Sequence, residues 1–241
     1  MGATAFEYRA RYWIHAVIYV LGFWSPWLQL LDMRREYTWQ ALMNATAHLG
    51  WLSFNASAVA WLVIATISAA LGAWLRIWGA AYVGSSVVKS SSMHGDALLA
   101  DGPYRYLRNP LYLGTLLHTF GVALIMPPSG AIFTIVLIWI FQVRLAIAEE
   151  PFLLARFGDS YREYAAKVPR FLPSPTPRVP SAGSQPHWLQ SAAGEIYMVG
   201  VVVTFVGFGW TYNVETLIRG VVISLGVSLI VRAFLPKPAA S

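Results

Sequence analysis

Asn109, Pro110 and Tyr112 open an apolar run that extends to Met126, and Arg144, Glu149 and Glu150 stand at the far end of the next one. A helix that begins at Pro110 needs no amide proton there, and Asn109 just before it suits an N-cap. That cap alone would account for Arg-Asn-Pro; the second polar cluster makes the two together a candidate site. Pro127 and Pro128, followed by Ser129 and Gly130, break the apolar stretch and read as the tip of a helical hairpin. From Asn109 to the tip is 18 residues, roughly 27 Å of helix, and the return to Glu149 is about 20 residues, roughly 30 Å. A hydrocarbon core is about 30 Å thick. The hairpin therefore crosses and returns, bringing Asn109 and Tyr112 level with Glu149 at one membrane face. Arg144 falls one to two turns deeper, where an ionisable group is costly unless paired or functional. The cluster is thus a functional site or a structural ion pair.

The elements that must hold these residues are membrane helices. The chain has 241 residues, 57% hydrophobic and 12% charged, with 11 tryptophans. Soluble domains carry about twice that charged fraction. The absence of cysteine excludes disulfides, zinc-thiolate sites and thiol catalysis. The net charge of +6 is scattered through loops that flank apolar runs, so nothing points to nucleic acid as a partner. The expected fold is all-α: a polytopic integral membrane bundle of about six transmembrane spans, including the hairpin, with a cofactor pocket facing the cytosol.

Tyr12 to Leu31 is a first span, interrupted at Ser25-Pro26; it is too long and aromatic for a signal peptide, and no small-residue cleavage site follows. Tyr37 to Leu75 contains no charged residue and reads as an interfacial lead-in to about residue 53, then a span near 55–76. A polar loop runs from Arg76 to Arg108, and the hairpin spans follow at about 109–126 and 130–148. Phe152, Leu153, Phe157, Tyr161 and Tyr164 recur at helical spacing and predict an amphipathic helix. Such a stripe packs on the membrane or the core, or lids a pocket. Pro173 to Pro186 holds five prolines and reads as an extended linker. Two further spans close the chain at about 194–212 and 216–235. This divides it into an N-terminal span and interfacial segment (1–54), a core (55–173), a linker (174–193) and a C-terminal pair of spans (194–241). Trp39, Trp51, Trp78 and Trp188, near span ends, read as an interfacial belt. His15 and His118 lie within spans and read as packed, partnered histidines. With the N-terminus inside, 13 of the 17 Lys and Arg fall on the cytosolic side, Arg34 and Arg35 being exceptions. The absence of longer soluble domains fits a bacterial cytoplasmic membrane.

Gly102-Pro-Tyr, Arg108-Asn-Pro-Leu-Tyr-Leu-Gly, Glu149-Glu150, Phe157-Gly-Asp-Ser-Tyr-Arg-Glu-Tyr and Val168-Pro-Arg, in this order, resemble the isoprenylcysteine carboxyl methyltransferase family, whose wider group includes the membrane phospholipid methyltransferases. The resemblance covers roughly residues 55–173. It implies a membrane-embedded methyltransferase that uses S-adenosyl-L-methionine, with a lipophilic methyl acceptor entering from the bilayer among the membrane lipids, and with no metal. By position, the family's cofactor loop falls on Asp96, Ala97, Leu98 and Leu99, and its next contact on Tyr104. Its Arg-His-Pro-x-Tyr segment falls on Asn109, Pro110, Leu111 and Tyr112, and its acidic cofactor ligand on Glu149. Asp96 and Asn109 stand where the family often has histidine; the first change introduces a charge, the second keeps hydrogen-bonding capacity. The resemblance suggests Arg144 as a catalytic-site arginine that orients a carboxylate acceptor, although the family's arginine stands one position closer to the acidic ligand; a structural pairing with Glu149 or Glu150 is the alternative. An isoprenylcysteine-type carboxylate is the implied acceptor, with a phospholipid or other small lipid as the alternative. A sterol-type membrane reductase has a similar His-Pro-x-Tyr-x-Gly motif but an acidic residue after it, where this chain has Thr115. A non-enzymatic transporter would spread polar groups along a pathway, whereas these gather at one face.

Overall fold

The computed structural model describes residues 2–24, 36–83 and 101–234. Every regular element among them is helical: α1 (Ala5–Arg9), α2 (Arg11–Trp24), α3 (Thr38–His48), α4 (Phe54–Val83), a 3₁₀ turn (Gly102–Arg105), α5 (Pro110–Ala123), α6 (Pro128–Lys167), α7 (Trp188–Gly194), α8 (Ile196–Thr211) and α9 (Val214–Phe234).

Among the described residues two helices are long and apolar enough to cross a membrane, Phe54–Val83 and Pro128–Lys167; α7 and α8, bent by 68° at their junction, form a third when taken as one span. Length accounts for part of the difference from the six expected. The described part of α2 and the whole of α5 have 14 residues each, about 21 Å, short of the ~20 residues that a perpendicular span requires.

Small side chains let α4 and α5 approach closely. A methyl group added at Gly72 would lie 2.5 Å from the Gly114 carbonyl oxygen and 2.5 Å from the His118 nitrogen, and one at Gly121 would lie 2.6 Å from the Ala65 carbonyl. Ala65 and Ala69 are buried on the same face of α4, and Ser68 donates to the Leu117 carbonyl across the contact. Lipid offers no hydrophobic drive for two apolar helices to associate, so close packing of small residues and interhelical hydrogen bonds must hold them together.

The hairpin turns between Ala123 and Pro128, where the prolines at 127 and 128 predict it. Its tip is covered: the Thr38 and Trp39 amides donate to the Met126 and Leu124 carbonyls, and Trp39 packs edge-on against Phe208 at 5.8 Å. Trp39 therefore belongs to the core rather than to the interfacial belt expected of it. Trp74 instead stacks on Trp188, 5.7 Å between ring centres.

The returning helix does not stop at the expected boundary. α6 runs for 40 residues through Pro151 and is interrupted at Gly158, with φ 54° and ψ −127°, a conformation open essentially to glycine alone. Up to that kink it spans 30 residues, about 45 Å, already longer than the hydrocarbon thickness, so the start of the amphipathic stretch continues the same helix past Pro151 and Gly158 redirects the rest.

The proline-rich segment is extended but not loose. Its backbone pairs along residues 105–108: Arg108 N–H to Pro169, Ser174 N–H to Tyr106 and Arg178 N–H to Arg105. Asp101, buried to 1% exposure, ties down its far end by accepting from the Ser181 hydroxyl and from the Ala182 and Ser184 amides. Burial works against the charge on Asp101, but these hydrogen bonds outweigh it and hold the carboxyl well below the usual carboxylate range.

Candidate active site

The two ends of the hairpin meet. Tyr112, in the first turn of α5, donates its phenol to Glu149 Oε1 at 2.5 Å, and Tyr8, at the opposite end of the chain, donates to the same oxygen at 2.8 Å. With both phenols on Oε1, Glu149 keeps Oε2 as a further acceptor. Pro110 occupies the first helical position as expected, but Asn109 makes no side-chain capping bond; its amide donates to the Arg170 carbonyl at 3.1 Å. The chain after α6 has claimed that side chain, so Asn109 ties residue 170 to the hairpin mouth.

Tyr104, Asn109, Pro110, Leu111, Tyr112 and Glu149 all line one cavity of about 760 Å³, a volume at the upper end for small-molecule sites. Tyr104 is buried, and its carbonyl accepts from the Tyr164 hydroxyl at 2.9 Å. The aromatic stripe predicted at 152–164 faces the same space, with Phe157 and Tyr161 in the wall. Asp96, Ala97, Leu98 and Leu99 lie outside the described residues.

The adjacent acids divide their work. Glu150 takes the Arg108 guanidinium at 2.9 Å and a two-bonded Arg170 at 2.7 Å on each oxygen. It is committed to holding residue 170 against the mouth, and Glu149 is the acid left to a ligand. Arg144 pairs with neither. It reaches Glu7 in α1, with 2.8 and 2.7 Å to the two carboxylate oxygens, and its carbonyl accepts the Ala3 amide. Arg144 is not among the cavity-lining residues. The Thr4 amide, together with Arg144, holds the Glu7 carboxyl below its usual range.

Sequence reasoning missed the contribution of the chain ends. Tyr8, Arg11, Tyr12, His15 and Tyr19 line the cavity from α1 and α2, spaced 3, 1, 3 and 4 apart. That is one face of a helix, and a polar stripe inside an apolar run was the available signal. Glu195, just before α8, grips Arg76 of α4 with two bonds at 3.0 and 2.8 Å; Arg76 also donates to the Thr115 hydroxyl at 2.9 Å. No spacing rule links positions 76 and 195.

Residues 60–160 match the family described as phospholipid methyltransferase. Over these residues the chain is similar to that family. The match contains both arms of the hairpin, with Tyr104, Tyr112 and Glu149, and with the apolar helices it makes this an integral membrane protein. Among curated relatives, the protein-S-isoprenylcysteine O-methyltransferase of Schizosaccharomyces pombe is 34% identical over 108 residues, covering 43% of this chain and 45% of the relative. The enzyme of the same name from Rattus norvegicus is 28% identical over 158 residues, covering 60% and 53%. A probable protein-S-isoprenylcysteine O-methyltransferase of Oryza sativa subsp. indica is 44% identical over 78 residues, covering 32% and 40%. The chain thus spans about half the length, or less, of the curated relatives it matches. No solved structure matches. Tyr8 and Arg11 at one end and Glu195 at the other lie outside the matched span.

Proposed function

We propose that this protein is a membrane-embedded methyltransferase that transfers a methyl group from S-adenosyl-L-methionine to a lipophilic acceptor, an isoprenylcysteine-type carboxylate first among the candidates. The reading rests on one observation: the family's acidic position is a carboxylate set in the cavity wall, with one oxygen taken by Tyr8 and Tyr112 and the other open to a cation. Within this reading the core sits in a bundle of about six spans, and the cavity opens to the cytosolic side of a bacterial cytoplasmic membrane.

The residues present fit the cofactor. Glu149 Oε2 would receive its ammonium group, and the tyrosine rings of the wall, Tyr8, Tyr12, Tyr104 and Tyr112, would flank the adenine or the sulfonium. The group supplies an activated methyl on positive sulfur, transferred by in-line displacement. An acceptor carboxylate is already ionised, so the protein needs no general base; the cavity's task is to align the two reactants and keep water out. The apolar wall beyond Thr115, with Val122 and Met198 in it, suits the hydrocarbon part of the acceptor.

The name of the matched family favours a second acceptor class, a phospholipid amine. The test for both is a labelled-methyl transfer assay with prenylcysteine analogues and with whole lipid extract. Glu149→Gln should weaken S-adenosylhomocysteine binding by about 10- to 150-fold, the worth of one hydrogen bond to a charged group. Wild-type protein that binds no S-adenosylhomocysteine at millimolar concentration would remove the methyltransferase.

A further inference from the structure

The cavity carries a cation beside Glu149. Arg11 is 7% exposed, lines the cavity, and has its guanidinium carbon 4.4 Å from the Tyr8 ring centre and 4.9 Å from that of Tyr12. Its Nη1 donates to the Tyr8 carbonyl at 3.0 Å. The same Tyr8 ring bears the hydroxyl bonded to Glu149, so a single phenol separates the guanidinium from the carboxylate.

We propose that Arg11 and Glu149 form a clamp for a zwitterionic α-amino-acid group, with Glu149 on its ammonium and Arg11 on its carboxylate, and that Arg11 is therefore a cofactor-binding residue supplied by the N-terminal helix. This rests on the methyltransferase reading, in which the methionyl end of the cofactor is that zwitterion. Three features support it. A guanidinium presents a planar fork of N–H groups that takes a carboxylate with two bonds. Cation–π contact and the Tyr8 carbonyl fix the side chain before a ligand arrives, which reduces the ordering cost of binding. The short helix α1, which carries Tyr8 and directly precedes Arg11, is tied down separately. The Thr4 hydroxyl and Glu7 carboxylate form a reciprocal cap at the start of α1, the Ala3 amide bonds the Arg144 carbonyl, and Arg144 holds Glu7. Arg144 on this view is a positioning residue, one step removed from the ligand.

Three nucleosides separate the groups involved: S-adenosylhomocysteine, its decarboxylated analogue, which keeps the amine, and 5′-methylthioadenosine, which lacks both charged ends. Calorimetric titration of the full chain in detergent should give a preference of about 10- to 150-fold for S-adenosylhomocysteine over the decarboxylated analogue. In Arg11→Gln that preference should vanish while 5′-methylthioadenosine binds as it does to wild type. A preference that persists in Arg11→Gln overturns the clamp, as does an equal loss for all three ligands, which marks a purely structural arginine. Unchanged nucleoside affinities with a raised KM for a prenylcysteine acceptor also overturn it, assigning Arg11 to the acceptor carboxylate. If wild-type protein prefers neither nucleoside yet binds all three, the clamp fails and the methyltransferase reading stands; if it binds none, that reading itself fails.

Discussion

Arg144→Ala distinguishes an arginine that holds substrate from one that anchors a helix. Among the described residues Glu7 is the acidic group that its guanidinium meets, and the two side chains retain 29% and 27% of their exposure. Water reaches the pair and screens it, so it falls in the class of ion pairs worth about 0.2–1 kcal/mol rather than that of buried ones. The Ala3 amide bond to the Arg144 carbonyl is made by backbone and survives the substitution. Loss of the pair should loosen the segment that carries Tyr8 and Arg11 by that amount, a factor of about 1.4–5 in S-adenosylhomocysteine affinity. Titration calorimetry of wild type, Glu7→Ala, Arg144→Ala and the double variant closes the cycle. The double variant should be no weaker than either single one, and 0.5 M salt should shrink the wild-type advantage. The reasoning is refuted if Arg144→Ala lowers kcat/KM for a carboxylate acceptor a hundredfold while Glu7→Ala is silent and nucleoside affinity is unchanged. That pattern belongs to an arginine touching the acceptor.

Two further outcomes follow from the packing and the strapped linker. Gly72→Ala places a methyl 2.5 Å from two backbone atoms of α5 and should cost about 1–3 kcal/mol of overpacking, roughly 2–12 °C in Tm by thermal unfolding in detergent; an unchanged Tm would show that α4 and α5 do not approach this closely. Asp101→Asn should release residues 181–184, seen as faster amide exchange there by about 10- to 150-fold, since the Ser184 bond to Oδ2 loses its charged acceptor. The folded carboxyl lies below its unfolded value of about 3.9, so its contribution is complete above about pH 4 and is lost as pH falls through the folded value. Exchange at 181–184 in wild type, corrected for intrinsic chemistry, should therefore show no change in protection between pH 5 and 8.

What was legible in the sequence was local or periodic. The hairpin announces itself because two prolines and a glycine cannot continue an apolar helix, and the lengths of its arms bring Tyr112 to Glu149 without any knowledge of tertiary contacts. The stripe at 152–164 shows its helical period, although its continuity with the preceding helix does not follow from the sequence: Pro151 reads as a stop, yet a rod already formed on both sides tolerates it. What was not legible depends on contacts between distant parts of the chain. Arg144 could have paired with Glu149 or Glu150 by sequence distance, but α1 lies beside it and offers Glu7. Asn109 has the makings of a cap until the chain at Arg170 returns and accepts its amide. Trp39 looks interfacial only because nothing local shows that α3 covers the hairpin tip.

The ion pair between Arg76 and Glu195 joins residues 119 positions apart, and that interval has a consequence for biosynthesis. A nascent chain delivers α4 to the bilayer with its guanidinium long before the counter-ion has been translated. Placing an arginine within an apolar helix costs up to about 2.5–3.5 kcal/mol on insertion scales, a debt that the leucines, alanines and tryptophans of the same helix must cover on their own. The carboxylate arrives with the closing helices, and its docking on α4 is the moment at which they gain a charged anchor in the earlier part of the bundle.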